Sequence, residues 1–91
     1  MFEWDPDKAR KNKAKHRVDL ADAERFEFEN VLEIDVADAA ADGEVRRAAL
    51  GFIGNQLHML VYVEHGDRIR VISLRRATRK ERLDYERHHF G

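Results

Sequence analysis

The sequence predicts an α+β protein, an antiparallel sheet with helices packed against it, on three observations. Strand-like runs from Val45 to Arg75 are interrupted only by the turn signals Gly54-Asn55 and His65-Gly66-Asp67. Helix-start signals stand near both ends, Asp5-Pro6 and Thr78-Arg79-Lys80-Glu81. No Pro-rich or Gly-rich linker and no repeat divides the 91 residues, so residues 1–91 are expected to form a single domain.

The elements follow in order. Phe2 and Trp4 alternate with Glu3, the period of a short edge strand. Asp5 as N-cap and Pro6 at the first helical position start a helix expected to reach His16. Its only apolar residues are Ala9 and Ala14, so it has almost no hydrophobic face with which to dock. Lys8, Asn12 and Lys15 share one stripe of it. Asp19 caps a second expected α-helix, ending near Glu27, whose apolar stripe is Leu20, Ala23 and Phe26. Val31 to Val36 reads as a strand with an acidic outer face, and Ala37 to Glu44 as a mobile loop.

Between Leu57 and Val63 both faces carry apolar residues, so this strand is expected to be central. In the next run Ile69, Val71 and Ser73 are expected to oppose Arg70, Ile72 and Leu74. The two hairpins share a strand and make an antiparallel meander. Thr78 and Glu81 form a capping box that starts a last helix running to about His88. The expected order is β-α-α-β-β-β-β-α.

Charge is segregated although the net charge is only −1. From Lys8 to Arg17 there are six Lys/Arg and no acid, and from Arg68 to Arg82 seven against one Glu. Asp19 to Glu44 holds ten acids and a single base, Arg25. If folding joins the two basic blocks, the chain gains a local binding site for a polyanion.

Several chemistries are excluded by inventory. Without cysteine there is no disulfide scaffold, thiolate metal site or Cys nucleophile. The histidines lack metal-ligand spacing, so no metal is expected, and no cofactor. Gly51-Phe52-Ile53-Gly54 lacks the residues of a phosphate-cradling loop, and Ser73 stands in a strand rather than on a nucleophile elbow. The amino-terminal decapeptide lacks a signal-peptide core and no apolar run approaches a membrane span, so a cytoplasmic protein with no membrane partner is expected.

What remains is a surplus of arginine around a few proton-transfer groups. Guanidinium donates in-plane pairs of hydrogen bonds to phosphate and stays charged at any accessible pH. Metal-free RNA cleavage needs a base for the 2′-hydroxyl, cations for the pentavalent phosphate and a proton for the 5′-oxygen. His16, Lys8, Lys15, Arg75, Arg76 and Tyr85 offer these roles. Each also has a plain alternative. His16 can cap a helix, Lys8 and Lys15 can be solvated surface, and Tyr85 and Trp4 can be core packing. Arg75 and Arg76 can pair with Glu27, Glu29 or Glu33.

In combination, Phe2-x-Trp4-Asp5-x-x-Lys8-x-x-x-Asn12-x-x-Lys15-His16 and Arg70-x-Ile72-Ser73-x-Arg75-Arg76-Ala77 followed by Glu81-Arg82-x-x-Tyr85 resemble the BrnT family of ribonuclease toxins from type II toxin-antitoxin systems. The resemblance implies a RelE-like fold and growth arrest through RNA cleavage. It also implies neutralisation by a BrnA-like ribbon-helix-helix antitoxin, typically in a heterotetramer of two copies each, with operator DNA bound only through the antitoxin. On this reading His16, Arg75, Arg76 and Tyr85 are the catalytic candidates, and Lys8, Lys15, Arg46 and Arg70 bind RNA phosphates. A non-catalytic RNA- or operator-binding partner of an antitoxin is the alternative. The chain departs from the family pattern at three places: Arg17 stands where glycine is usual, Arg47 where an aromatic is usual, and Leu74 where the residue is smaller.

Overall fold

In the computed structural model, which describes residues 2–34 and 45–90, five strands form one sheet in the order β1-β5-β4-β3-β2. They are β1 (Phe2–Glu3), β2 (Leu32–Ile34), β3 (Arg46–Ile53), β4 (Gln56–His65) and β5 (Arg68–Arg76). Helix α1 (Pro6–His16) and a 3₁₀ helix (Leu20–Arg25) lie between β1 and β2, and α2 (Arg79–Phe90) follows β5. The expected loop over 37–44 and the Asp35-Val36 end of the second strand lie outside the described residues. Among the described residues no helix is long and apolar enough to cross a membrane.

The meander of β3, β4 and β5 exists because each of its turns has two residues and begins with glycine. Gly54 and Gly66 take φ of +61° and +58°, conformations open to a residue without a Cβ. The pairs Ile53–Gln56 and His65–Arg68 close the two hairpins. β4 is the middle strand, as its two apolar faces require.

Three local expectations are corrected. The sheet is mixed rather than wholly antiparallel, because β1 runs parallel to β5, with Phe2 opposite Ile69 and Glu3 opposite Arg70. Two residues of strand carry no directional signal; the sense follows from α1 continuing along the same edge of β5. The second helix is 3₁₀ rather than α. Asp19 caps it by accepting from the Ala21 amide, while Asp22 and Phe26 donate to the carbonyls three residues back. Leu20, Ala23 and Phe26 are three apart, and a helix of three residues per turn aligns all of them on the buried side.

The third correction is in β5. Val61 pairs with Ser73 but Tyr62 pairs with Val71, so Ile72 is an extra residue, a β-bulge. It resets the alternation and brings Val71 and Leu74, expected on opposite faces, into one buried cluster with Leu60 and Tyr62. The 3₁₀ helix covers this cluster through Leu20, Ala23 and Phe26. A second cluster on the other face joins Ala48, Leu50, Leu57 and Met59 to Ala77 and Tyr85.

Gly51 lies where Phe26 presses on β3. A Cβ there would stand 2.6 Å from the Phe26 Cζ and 3.0 Å from a Val31 methyl carbon. Gly51→Ala is therefore expected to lower stability by about 1–3 kcal/mol through overpacking, seen as a lower denaturant midpoint at unchanged m-value. Parental stability in that variant would mean that the ring is not confined.

Candidate active site

Because α1 offers only Ala9 to the core, a polar residue docks it. Asn12 is buried, and its amide nitrogen donates to the carbonyls of Leu74 (2.7 Å) and Val18 (2.9 Å). Its Oδ1 accepts from the Leu74 amide at 3.2 Å. The side-chain amide thus acts as a short strand against β5, satisfying backbone groups beyond the reach of two-residue β1. At the end of α1, Arg17 adopts a left-handed conformation, φ 59° and ψ 27°, and its amide donates to the Lys13 carbonyl. This turn returns Val18 to Asn12. An L-residue in that conformation costs roughly 1–2 kcal/mol, which the glycine usual in the family would not incur.

The clamp sets the cationic face of α1 beside β5. Lys8, Lys11, Lys15 and His16 share a shallow concavity of about 220 Å³ with Ile72 and Ser73. Its lining is ammonium, imidazole, amide, hydroxyl and aliphatic carbon, without a carboxylate among the described residues. His16 is half-buried, and its pKa lies below the ordinary 6.5, first because of burial and then because of the Lys15 and Arg75 charges. At neutral pH its imidazole is uncharged and able to accept a proton.

Arg75 links this concavity to α2. Its Nη1 and Nη2 donate to Oε1 and Oε2 of Glu81, each at 2.8 Å, an end-on fork. The Glu81 carboxylate also accepts from the Thr78 amide, and Thr78 Oγ1 accepts from the Glu81 amide, so the expected capping box is formed. The Arg75 hydrogen bonds are the main cause that holds the Glu81 pKa down at about 2. The partner of Arg75 is therefore the first turn of α2 rather than the acidic segment.

The other candidates stand elsewhere. Arg76 is exposed at the end of β5 and lines a second concavity with Arg82 and Tyr85. Tyr85 is buried; its hydroxyl donates to the Asn30 carbonyl at 2.5 Å, and its ring meets Phe52 edge-on and stacks on His89. Burial, then Glu27, pushes the phenol pKa up. Arg46 and Arg70 flank Val63 in one cross-strand row. That row is about 13 Å along β4 from the Met59–Arg75 pair, at ~3.3 Å per residue. Arg70 lines a third concavity with Trp4 and His65. The fold thus joins Lys8, Lys15 and His16 and sets Arg75 within electrostatic range of His16. Arg76 and Tyr85 are grouped one residue further along, and Arg46 and Arg70 lie apart. The docking role of Asn12 had one signal in the sequence, an uncharged polar residue on a stripe of lysines.

Fold and site together define a small α+β protein with a cationic, histidine-bearing concavity at the edge of its sheet. The family described as "Ribonuclease toxin, BrnT, of type II toxin-antitoxin system" matches residues 4–81, and the chain belongs to it. Among solved structures, the 1.1 Å crystal structure of the Brucella abortus ribonuclease toxin BrnT is similar with a TM-score of 0.67 and 27% sequence identity. That match covers 87% of this chain and 99% of the Brucella chain. No curated protein matches the sequence.

Two outcomes are expected from this geometry. Asn12→Asp retains size but cannot donate to two carbonyls, so unfolding free energy should fall by about 2–4 kcal/mol; a near-neutral change would mean that α1 docks without the amide. Glu81, depressed from 4.5 to about 2, contributes stability above pH 4.5 that is lost as pH falls toward 2. Glu81→Gln should abolish a contribution on the order of 2 kcal/mol and flatten the stability profile across that window. An unchanged acid limb would show that the fork does not form in solution.

Proposed function

We propose that this protein is a metal-independent endoribonuclease toxin whose reaction centre is the concavity of Lys8, Lys15 and His16, with Arg75 at its side. The observation that carries this reading is the concavity at the edge of the sheet that gathers Lys8, Lys15 and His16 with no carboxylate among the described residues that line it. His16 takes the proton of a ribose 2′-hydroxyl, and that oxygen attacks the adjacent phosphorus. The bond from phosphorus to the 5′-oxygen breaks, and the leaving oxygen receives a proton from a lysine ammonium of the cluster. The products are a 2′,3′-cyclic phosphate and a 5′-hydroxyl.

Cations do most of the stabilisation, since the phosphate gains charge in the transition state. Arg75 contributes positive potential from a plane fixed by Glu81, and Arg76 meets a flanking phosphate. Arg46 and Arg70 bind RNA further from the scissile bond. Tyr85 is assigned to the wall of the second concavity rather than to proton transfer, because its hydroxyl is already donated to Asn30. Family membership supports an antitoxin partner. We take it to be a BrnA-like ribbon-helix-helix protein that assembles with the toxin as two copies each and contacts operator DNA itself.

Cleavage of single-stranded RNA by protein freed of antitoxin tests the reading. His16→Ala should lose about 10²–10⁴-fold in kcat/KM, and EDTA should change nothing. The rate should rise with pH and level off at an inflection below 6.5, because only the neutral imidazole is active. Lys15→Gln removes a cation beside His16 and should move that inflection upward. Cleavage that requires a metal, or a fully active His16→Ala, would remove this centre.

A further inference from the structure

The second concavity, with a volume of about 430 Å³, has no proton-transfer role in this chemistry, yet it is rigidly built. Phe52, Leu57 and Tyr85 give it an apolar floor. Tyr85 is tied to the Asn30 carbonyl, and the Ala77 amide donates to the Leu57 carbonyl at 2.9 Å. Arg82 Nη1 donates to the Ala77 carbonyl at 3.2 Å, which fixes one guanidinium at the rim. Arg76 supplies a second, directly after Arg75 in β5.

Above the floor stand the side-chain amides of Asn55, in the β3–β4 turn, and of Gln56, at the start of β4, with the Glu86 carboxylate of α2. All three residues are exposed. Amides offer both donors and acceptors in one plane, and a carboxylate accepts only. A flat, partly apolar ligand with a polar edge and a phosphate attached would use every part of this arrangement.

We propose that this concavity seats one nucleobase of the single-stranded RNA, neighbouring the phosphate held at His16 and Arg75, and that Gln56 and Glu86 read its edge. The proposal rests on the nuclease reading above. The base lies on the apolar floor, as unpaired bases do on aromatic and apolar side chains. Its phosphate lies between Arg76 and Arg82. Glu86 favours bases that present N–H groups and disfavours carbonyl edges, so the concavity sets a base preference rather than affinity for RNA in general. The two guanidinium groups at the rim, Arg76 and Arg82, and membership of a ribonuclease toxin family favour RNA over a peptide as the occupant.

Binding of 2′-O-methyl oligonucleotides separates recognition from cleavage, since the blocked 2′-oxygen cannot attack. Four octamers, each enriched in a different base, are titrated by fluorescence anisotropy against the wild type, Gln56→Ala, Glu86→Gln and His16→Ala. The wild type and His16→Ala should discriminate best from worst base by about 10-fold or more, and the Gln56 and Glu86 variants by less than about 3-fold. The salt dependence of binding should stay the same in the Gln56 and Glu86 variants, because phosphate contacts are untouched. Equal binding of all four octamers, parental discrimination in both variants, or lost affinity for a co-purified antitoxin alone would overturn the proposal. Failure of the nuclease reading looks different: wild-type protein that leaves ordinary RNA intact while still discriminating bases would remove the reaction and keep the subsite.

Discussion

The arrangement of this protein depends on one buried side-chain amide. A helix with five lysines and arginines and no apolar stripe has little reason to approach a sheet. Nonspecific burial cannot hold it, so directional hydrogen bonds do. Asn12 satisfies both backbone groups of Leu74 on an edge of β5 that β1 is too short to cover. The same amide binds Val18 and so fixes the exit of α1. Because both partners are backbone atoms, the contact is indifferent to the side chains around it. It nevertheless determines where Lys8, Lys15 and His16 stand. Both backbone groups of Leu74 are thereby taken and cannot pair with another strand, a hazard for any open β edge.

Concentrating cations at that edge works against folding, and the structure offsets it locally. Glu81 is the carboxylate placed against Arg75, and it is held in turn by the first turn of α2. One residue therefore caps a helix, orients a guanidinium and moderates charge beside His16. Burial, and then the repulsive field of Lys15 and Arg75, holds the pKa of the imidazole below its ordinary value. A cationic concavity with an imidazole in its lining is thus made from groups that would each be ordinary on a solvated surface.

The departures from the family pattern have structural explanations. Arg17 accepts the left-handed turn that glycine would take without strain. Arg47 pairs with Glu64 across the sheet, so it does not add an uncompensated cation. Leu74 turns its side chain into the core, where it is fully buried, while its backbone meets Asn12.

Much of the architecture was legible in the residues themselves, because it rests on local rules. Glycine at the start of each two-residue turn makes the meander, Asp5 and Pro6 start α1, and Thr78 with Glu81 starts α2. Segregated charge indicates a cationic patch, and α1 carries its part of it beside β5. Other features are long-range and have no local signature. The parallel sense of β1, the bulge at Ile72 and the 3₁₀ path past Gly51 each depend on what packs against the segment. So does the grouping of the cations. The sequence by itself determined the elements, their order and the chemistry on offer. Only the tertiary structure decided which groups meet, because Asn12 and Leu74 lie 62 positions apart and no periodicity in the chain records that bond.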